Sequence, residues 1–170
     1  MNRLVLALAI ACALSSVDGQ KVRVDFKHGG NFNHYSTYRW AGPPDAQFLN
    51  QLMIERVTGF VEEALATKHL RHVQTGGDLA VHYRLTVEDQ PRFITYNDGI
   101  GPYWDWGGTI STTITEPFLV STLTVDVVDA GRDQLIFEGV STQSVSSKPE
   151  RNTRRFARAV NKIFEKYPPQ

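Results

Sequence analysis

Cysteine is almost absent from this sequence, because Cys12 is the only one. A domain that starts after it holds no disulfide, no thiolate metal site and no cysteine nucleophile. Neither sign of charge dominates, since 18 basic residues balance 18 acidic ones. A neutral chain lacks the basic footprint of nucleic-acid binding, and we expect no nucleic-acid partner.

Long hydrophobic runs are also lacking. The apolar segment Leu4 to Leu14 is shorter than the roughly 20 residues that a membrane-spanning helix needs. It follows a charged start, and Val17 and Gly19 occupy the usual small-residue positions before a cleavage point. This pattern is typical of a secretory signal peptide. The sequence therefore predicts that residues 1–19 are removed on export, and that residues 20–170 form a single domain in the periplasm or at the outer membrane.

Cys12 offers a second interpretation of the same segment. Ala9-Ile10-Ala11-Cys12 loosely matches a bacterial lipobox, in which the cysteine is lipidated and anchors the mature chain. Ala9 stands where leucine is favoured, and only a short apolar stretch precedes the motif. A soluble exported domain is therefore favoured, with lipid tethering through Cys12 as the alternative.

Hydrophobic periodicity predicts the secondary structure of the mature chain. Apolar and polar residues alternate in several segments, which is typical of half-buried strands, whereas two others show helical spacing. The strand segments are 22–26, a stretch ending at Trp40, 79–88, 109–115 with 119–128, and 135–145; the helical segments are 47–68 and the stretch after a capping box at Ser147 and Glu150. The order β-β-α-β-β-β-α predicts an α+β two-layer sandwich, with a mostly antiparallel sheet and two amphipathic helices on one face.

Residues 93–108 form a segment rich in glycine and aromatic side chains between two predicted strands. Long loops in compact domains are often functional, and aromatic rings are enriched in interfaces. We hypothesise that this loop binds an envelope protein, a glycan or a lipid; a loop folded back over the sheet is the alternative. The candidate binding residues are Tyr96, Tyr103, Trp104, Asp105 and Trp106.

Catalytic motifs are missing. The chain has no GxSxG elbow, P-loop or HExxH sequence, so we expect no enzyme, no cofactor and no metal site. His69 and His72 are three residues apart but lack the further ligands that zinc needs. Asp126, Asp129 and Glu138 lie near a predicted hairpin turn, and a small hydrolase or lyase using them is the alternative function. Turn stabilisation explains these carboxylates more simply.

The last helical segment carries basic residues at its start, namely Arg151, Arg154, Arg155 and Arg158. Positive charge near a helix N-terminus is unfavourable with the helix dipole. A solvated face with local pairing to Glu150 is the simpler interpretation. Contact with anionic lipid head groups or an acidic partner is the alternative.

Four segments, taken in order, carry a further signal. They are Phe32-x-x-Tyr35-x-Thr37-Tyr38-x-Trp40, Asp78-Leu79-Ala80-Val81-His82-Tyr83, Leu123-Thr124-Val125-Asp126-Val127-Val128-Asp129 with Leu135-Ile136-Phe137-Glu138-Gly139, and Ala159-Val160-Asn161-Lys162-Ile163-Phe164-x-x-Tyr167-Pro168-Pro169. Together they resemble the DUF4136 family of bacterial envelope proteins of unknown function, over Val22 to Pro169. The resemblance implies an α+β domain on the outer side of the inner membrane, and it implies no catalytic residues. We expect a non-catalytic binding module, with a purely structural envelope lipoprotein as an alternative.

Overall fold

The computed structural model describes residues 20–46, 50–98 and 110–168. In these ranges the predicted α+β fold is confirmed. The elements are β1 (Lys21–Phe26), β2 (Thr37–Trp40), α1 (Gln51–Thr67), β3 (Arg71–His72), β4 (Leu79–Asp98), β5 (Ile110–Asp129), β6 (Gln134–Ser144) and α2 (Pro149–Phe164), with one 3-10 turn at Phe32–His34. No helix in the described ranges is long and apolar enough to cross a membrane.

The strands form one open sheet in the order β1-β6-β5-β4-β2-β3. β1, β6, β5 and β4 pair antiparallel in that order, whereas β2 runs parallel to both β4 and β3. β3 was not predicted, because two residues are too few to show an alternation. It is anchored by hydrogen bonds from the amides of Arg71 and Val73 to the carbonyls of Ser36 and Tyr38.

Both helices pack against each other and bury their apolar faces on the sheet. The alternation of β4 directs Leu79, Val81, Tyr83 and Leu85 into this core, as the period-two pattern predicts. Neither of the two described helices lies on the outer face of the sheet. The buried residues of the helices are Val57, Val61, Ala64 and Leu65 of α1 and Phe156, Ala159, Val160, Ile163 and Phe164 of α2.

Two details of the helices differ from what the sequence alone indicates. The apolar side chain of Leu52 is 62% exposed, because Leu52 lies five residues before Val57 and is rotated by about 140° from it. The capping box at Ser147 is wrong, since the N-cap residue is Lys148 and makes no side-chain cap. Instead the Asn152 side chain binds the backbone of Ser146 through both its oxygen and its amide nitrogen.

Candidate functional site: a projecting hairpin arm

β4 and β5 are far longer than their neighbours in the sheet. Each has 20 residues, and they pair without a break along their whole length. β2 pairs with β4 only as far as Val81, and Asp45, which follows β2 in the chain, makes one further bridge to Arg84. β6 covers β5 only from Val120 onward. Residues 90–98 and 110–118 therefore form a two-stranded ribbon about 30 Å long, which we call the arm.

The arm carries apolar side chains in solvent. Phe93 is 68% exposed, Tyr96 49% and Ile114 39%. In the register of the hairpin, even-numbered residues of β4 lie opposite even-numbered residues of β5, so Tyr96 and Ile114 share one face. Phe93 is odd-numbered and lies on the opposite face. An isolated two-stranded hairpin is marginally stable in water. The arm thus presents rings on both faces without a core beneath them.

A pair of prolines marks the root of the arm, where Pro91 lies directly opposite Pro117. Neither residue can donate a hydrogen bond, so they occupy a non-hydrogen-bonded cross-strand position, and their ring nitrogens face the two outer edges. Two other odd-numbered residues have the same orientation. The Leu85 amide donates a hydrogen bond to Asp45 and the Leu119 carbonyl accepts one from Val145, so both face away from the hairpin partner strand. Each edge of the arm therefore lacks one outward donor at its root: Pro117 lies two residues before Leu119 and Pro91 six residues after Leu85, which both bond to neighbouring segments. Prolines in such positions discourage the addition of another strand.

Replacement of both prolines tests this interpretation. We expect Pro91→Thr/Pro117→Thr to increase self-association, because it restores an outward N–H on each exposed edge. Size-exclusion chromatography with light scattering measures the change in mass. Pro43→Thr, in an exposed loop after β2, is the matched control. A double variant with the same mass distribution as the parent would show that the prolines do not guard the edges.

The structure places the predicted binding residues in two groups. Tyr96 belongs to β4, so the predicted loop boundary at residue 93 is wrong: β4 continues to Asp98. The two predicted strands 109–115 and 119–128 are likewise one strand. The candidates Tyr103, Trp104, Asp105 and Trp106 lie outside the described residues, as does Cys12.

The three carboxylates of the hydrolase alternative are not brought together. Asp126 and Glu138 are cross-strand neighbours, whereas Asp129 is an odd-numbered residue of β5 whose side chain accepts hydrogen bonds from Tyr35 Oη and Arg132, each at 2.9 Å. The Tyr35 hydrogen bond holds the pKa of Asp129 below its ordinary value. Glu138 borders a hollow of about 460 Å³ that neither of the other two lines. Asp129 thus fastens the turn after β5.

Asp78 is a structural centre that the sequence analysis did not single out. Its Oδ2 accepts hydrogen bonds from the backbone amides of Ser36 and Thr37, at 2.8 and 2.9 Å, and from both hydroxyls. These bonds, led by the Ser36 amide, lower the pKa of Asp78 to about 2. The carboxylate joins the starts of the parallel strands β2 and β4. The sequence signal for this contact was a Ser-Thr pair at the start of one strand and an aspartate just before the neighbouring strand.

Histidine positions give no metal site. His69 lies just after α1 with a φ of 62°, and His72 packs its ring 5.3 Å from that of Tyr38. Among the residues that the structure describes, no group of three or more histidine, cysteine, aspartate or glutamate side chains could hold a metal ion.

Comparison with known proteins gives one family and several fold relatives. The model of DUF4136, a domain of unknown function, matches residues 22–169, and no curated protein matches the sequence. A PDZ domain protein from Parabacteroides distasonis superposes with a TM-score of 0.57 at 10% identity over 89% of this chain, which spans 36% of that protein. The PelC dodecamer from Paraburkholderia phytofirmans superposes with a TM-score of 0.52 at 10% identity, covering 85% of this chain and 93% of PelC. At these identities the likeness concerns the fold alone.

Proposed function

The chain belongs to the DUF4136 family, and from that premise we propose that it is a non-catalytic interaction module of the bacterial cell envelope that contacts its partner through the faces of the arm. The single observation that carries the proposal is the exposure of Phe93 and Tyr96 on a ribbon beside which the described residues place no further strand. Rings in such a position bury a large area at low entropic cost.

The faces of the arm, rather than its edges, form the proposed interface. Pro91 and Pro117 interrupt the row of outward donors on the two edges, which disfavours strand addition. Tyr96 and Ile114 supply an apolar surface on one face and Phe93 supplies another. A partner that covered either face would bury rings that now meet water, and this burial would stabilise the ribbon.

The envelope location in this proposal rests on the amino-terminal segment. Residues 1–19 have the composition of a signal peptide, and we propose that the mature domain is exported and soluble, with lipid attachment at Cys12 as the other possible state. The intact mass of the mature protein tests this. A chain that begins at Gln20 without lipid mass supports the soluble form, and one that begins at a lipidated Cys12 supports the tether.

Site-specific photocrosslinking in cells tests the arm directly. Benzoylphenylalanine at position 93 or 96 is expected to give a discrete crosslinked product, whereas the same group at Leu52, which is 62% exposed on α1, gives none. A product of twice the mass of the mature chain would identify the partner as a second copy, the arrangement for which the PelC dodecamer offers a precedent in fold. The proposal fails if crosslinking at 93 and 96 is no stronger than at 52.

A further inference from the structure

Helix α2 carries a continuous row of basic side chains on its solvent face. The four exposed members on the helix follow at intervals of three, four and four residues, so they lie on one side of it over about 17 Å, and the fifth lies in the turn just after the helix ends at Phe164. Phe156, Val160 and Ile163 occupy the opposite, buried side. The row, which we call the cationic stripe, consists of Arg151, Arg154, Arg158, Lys162 and Lys166.

The charge of this helix is concentrated rather than balanced locally. Residues 149–168 contain six basic and two acidic side chains in a chain of zero net charge. Within the described part of the chain, no salt bridge joins Arg151, Arg154, Lys162 or Lys166 to a carboxylate. The stripe therefore attracts an external anion.

The position of the charges also disfavours the free helix. Arg151 lies in the first turn of α2 and Arg154 just beyond it, and the helix dipole repels cations in the first turn. An anion bound over the stripe would remove this repulsion. Anion binding over the stripe is therefore expected to stabilise α2 with its basic residues near the N-terminus.

The composition of the stripe favours a membrane surface over a protein. The large hydrophobic side chains that are exposed in the described ranges are Leu52, Phe93, Tyr96, Ile114, Leu119 and Leu135, and none of them belongs to α2. Protein interfaces depend on buried aromatic or apolar anchors and are depleted in lysine. A row of basic residues on an amphipathic helix is typical of binding to anionic lipids. We propose that the cationic stripe docks the domain on an anionic lipid surface, with head-group phosphates as its ligands.

Vesicle flotation of the full chain tests the proposal. Vesicles of equal parts phosphatidylglycerol and phosphatidylcholine are expected to bind the protein, pure phosphatidylcholine vesicles are not, and added salt weakens binding. The variant Arg151→Gln/Arg154→Gln/Lys162→Gln/Lys166→Gln removes four charges and is expected to bind more than about a hundredfold more weakly, at about fivefold for each basic residue.

A matched control removes four charges from the uncovered face of the sheet, as Lys21→Gln/Arg23→Gln/Arg39→Gln/Arg84→Gln, and is expected to keep vesicle binding. Circular dichroism checks that both variants remain folded. Competition by inorganic phosphate as strong as that by vesicles would identify isolated phosphate, not a surface, as the ligand. Equal stripe-dependent binding to polyglutamate or duplex DNA, unchanged vesicle binding by the stripe variant, or no binding by the parent chain would each overturn the proposal.

Discussion

Gly139→Ala is expected to lower the free energy of unfolding by about 2 kcal/mol, because it overpacks the contact between β6 and α2. Gly139 lies on the buried side of β6, directly under Ile163. A methyl group there would overlap Ile163 Cγ2 and lie 3.0 Å from Cγ1. Ile163 is fully buried, so it cannot turn aside into solvent. Urea denaturation of the variant and the parent measures the difference.

Two further variants distinguish overpacking from a general intolerance of alanine. Gly59 lies in α1 with nothing within 4 Å of an added Cβ, and Gly59→Ala is expected to raise stability by about 0.5–1 kcal/mol. Ile163→Ala combined with Gly139→Ala is expected to cost less than the sum of the single variants, since the first makes room for the second. A Gly139→Ala protein as stable as the parent would mean that α2 does not lie this close to β6.

Asp78→Asn is expected to lower the free energy of unfolding by about 2 kcal/mol at neutral pH. The substitution replaces a charged acceptor of four hydrogen bonds from Ser36 and Thr37, and hydrogen bonds to charged groups contribute about 1.5–3 kcal/mol. The asparagine amide oxygen can take the place of Oδ2, but it carries no charge, so each of these bonds becomes weaker. Asp89→Asn, at an exposed position near the root of the arm, is the control and is expected to change stability by less than about 0.5 kcal/mol.

The effect of Asp78→Asn is expected to depend on pH in a defined direction. The pKa of Asp78 falls from an ordinary value of 3.8 to about 2 in the folded protein. A carboxylate with a depressed pKa contributes its stability in full above the unfolded pKa, and that contribution is lost as the pH falls through the folded pKa. The stability difference between parent and variant should therefore be largest at neutral pH and shrink from about pH 4 down to about pH 2. A difference that stays constant over this range would show that the charge of Asp78 is not what joins the two strands.

Hydrophobic pattern predicted most of the elements because most of them bury one face. β1, the first half of β4 and the second half of β5 alternate clearly, and α2 shows an apolar stripe opposite its basic residues. The arm was missed for the same reason. Residues 93–96 have no buried side, so their sequence carries no alternation, and the exposed rings indicated a loop.

The candidate site was predictable only in part. Aromatic composition directed attention to residues 93–108, and Tyr96 lies on the arm as an exposed side chain. Phe93 began the predicted loop but was not chosen as a binding residue, because its exposure depends on where β2 and β6 end. The opposed prolines were also not recognised, since Pro91 and Pro117 are 26 positions apart and meet only through the register of the hairpin.

The sequence by itself determined the family, the α+β class, the amphipathic character of both helices and the basic composition of α2, because each of these depends on composition or on local periodicity. Tertiary structure alone decided which side chains meet. It joined Asp78 to Thr37, set Gly139 beneath Ile163, and placed no third strand of the described ranges beside the arm. The physical reason is that side-chain periodicity specifies a buried face, whereas the identity and the extent of what covers that face depend on chain segments that are distant in sequence.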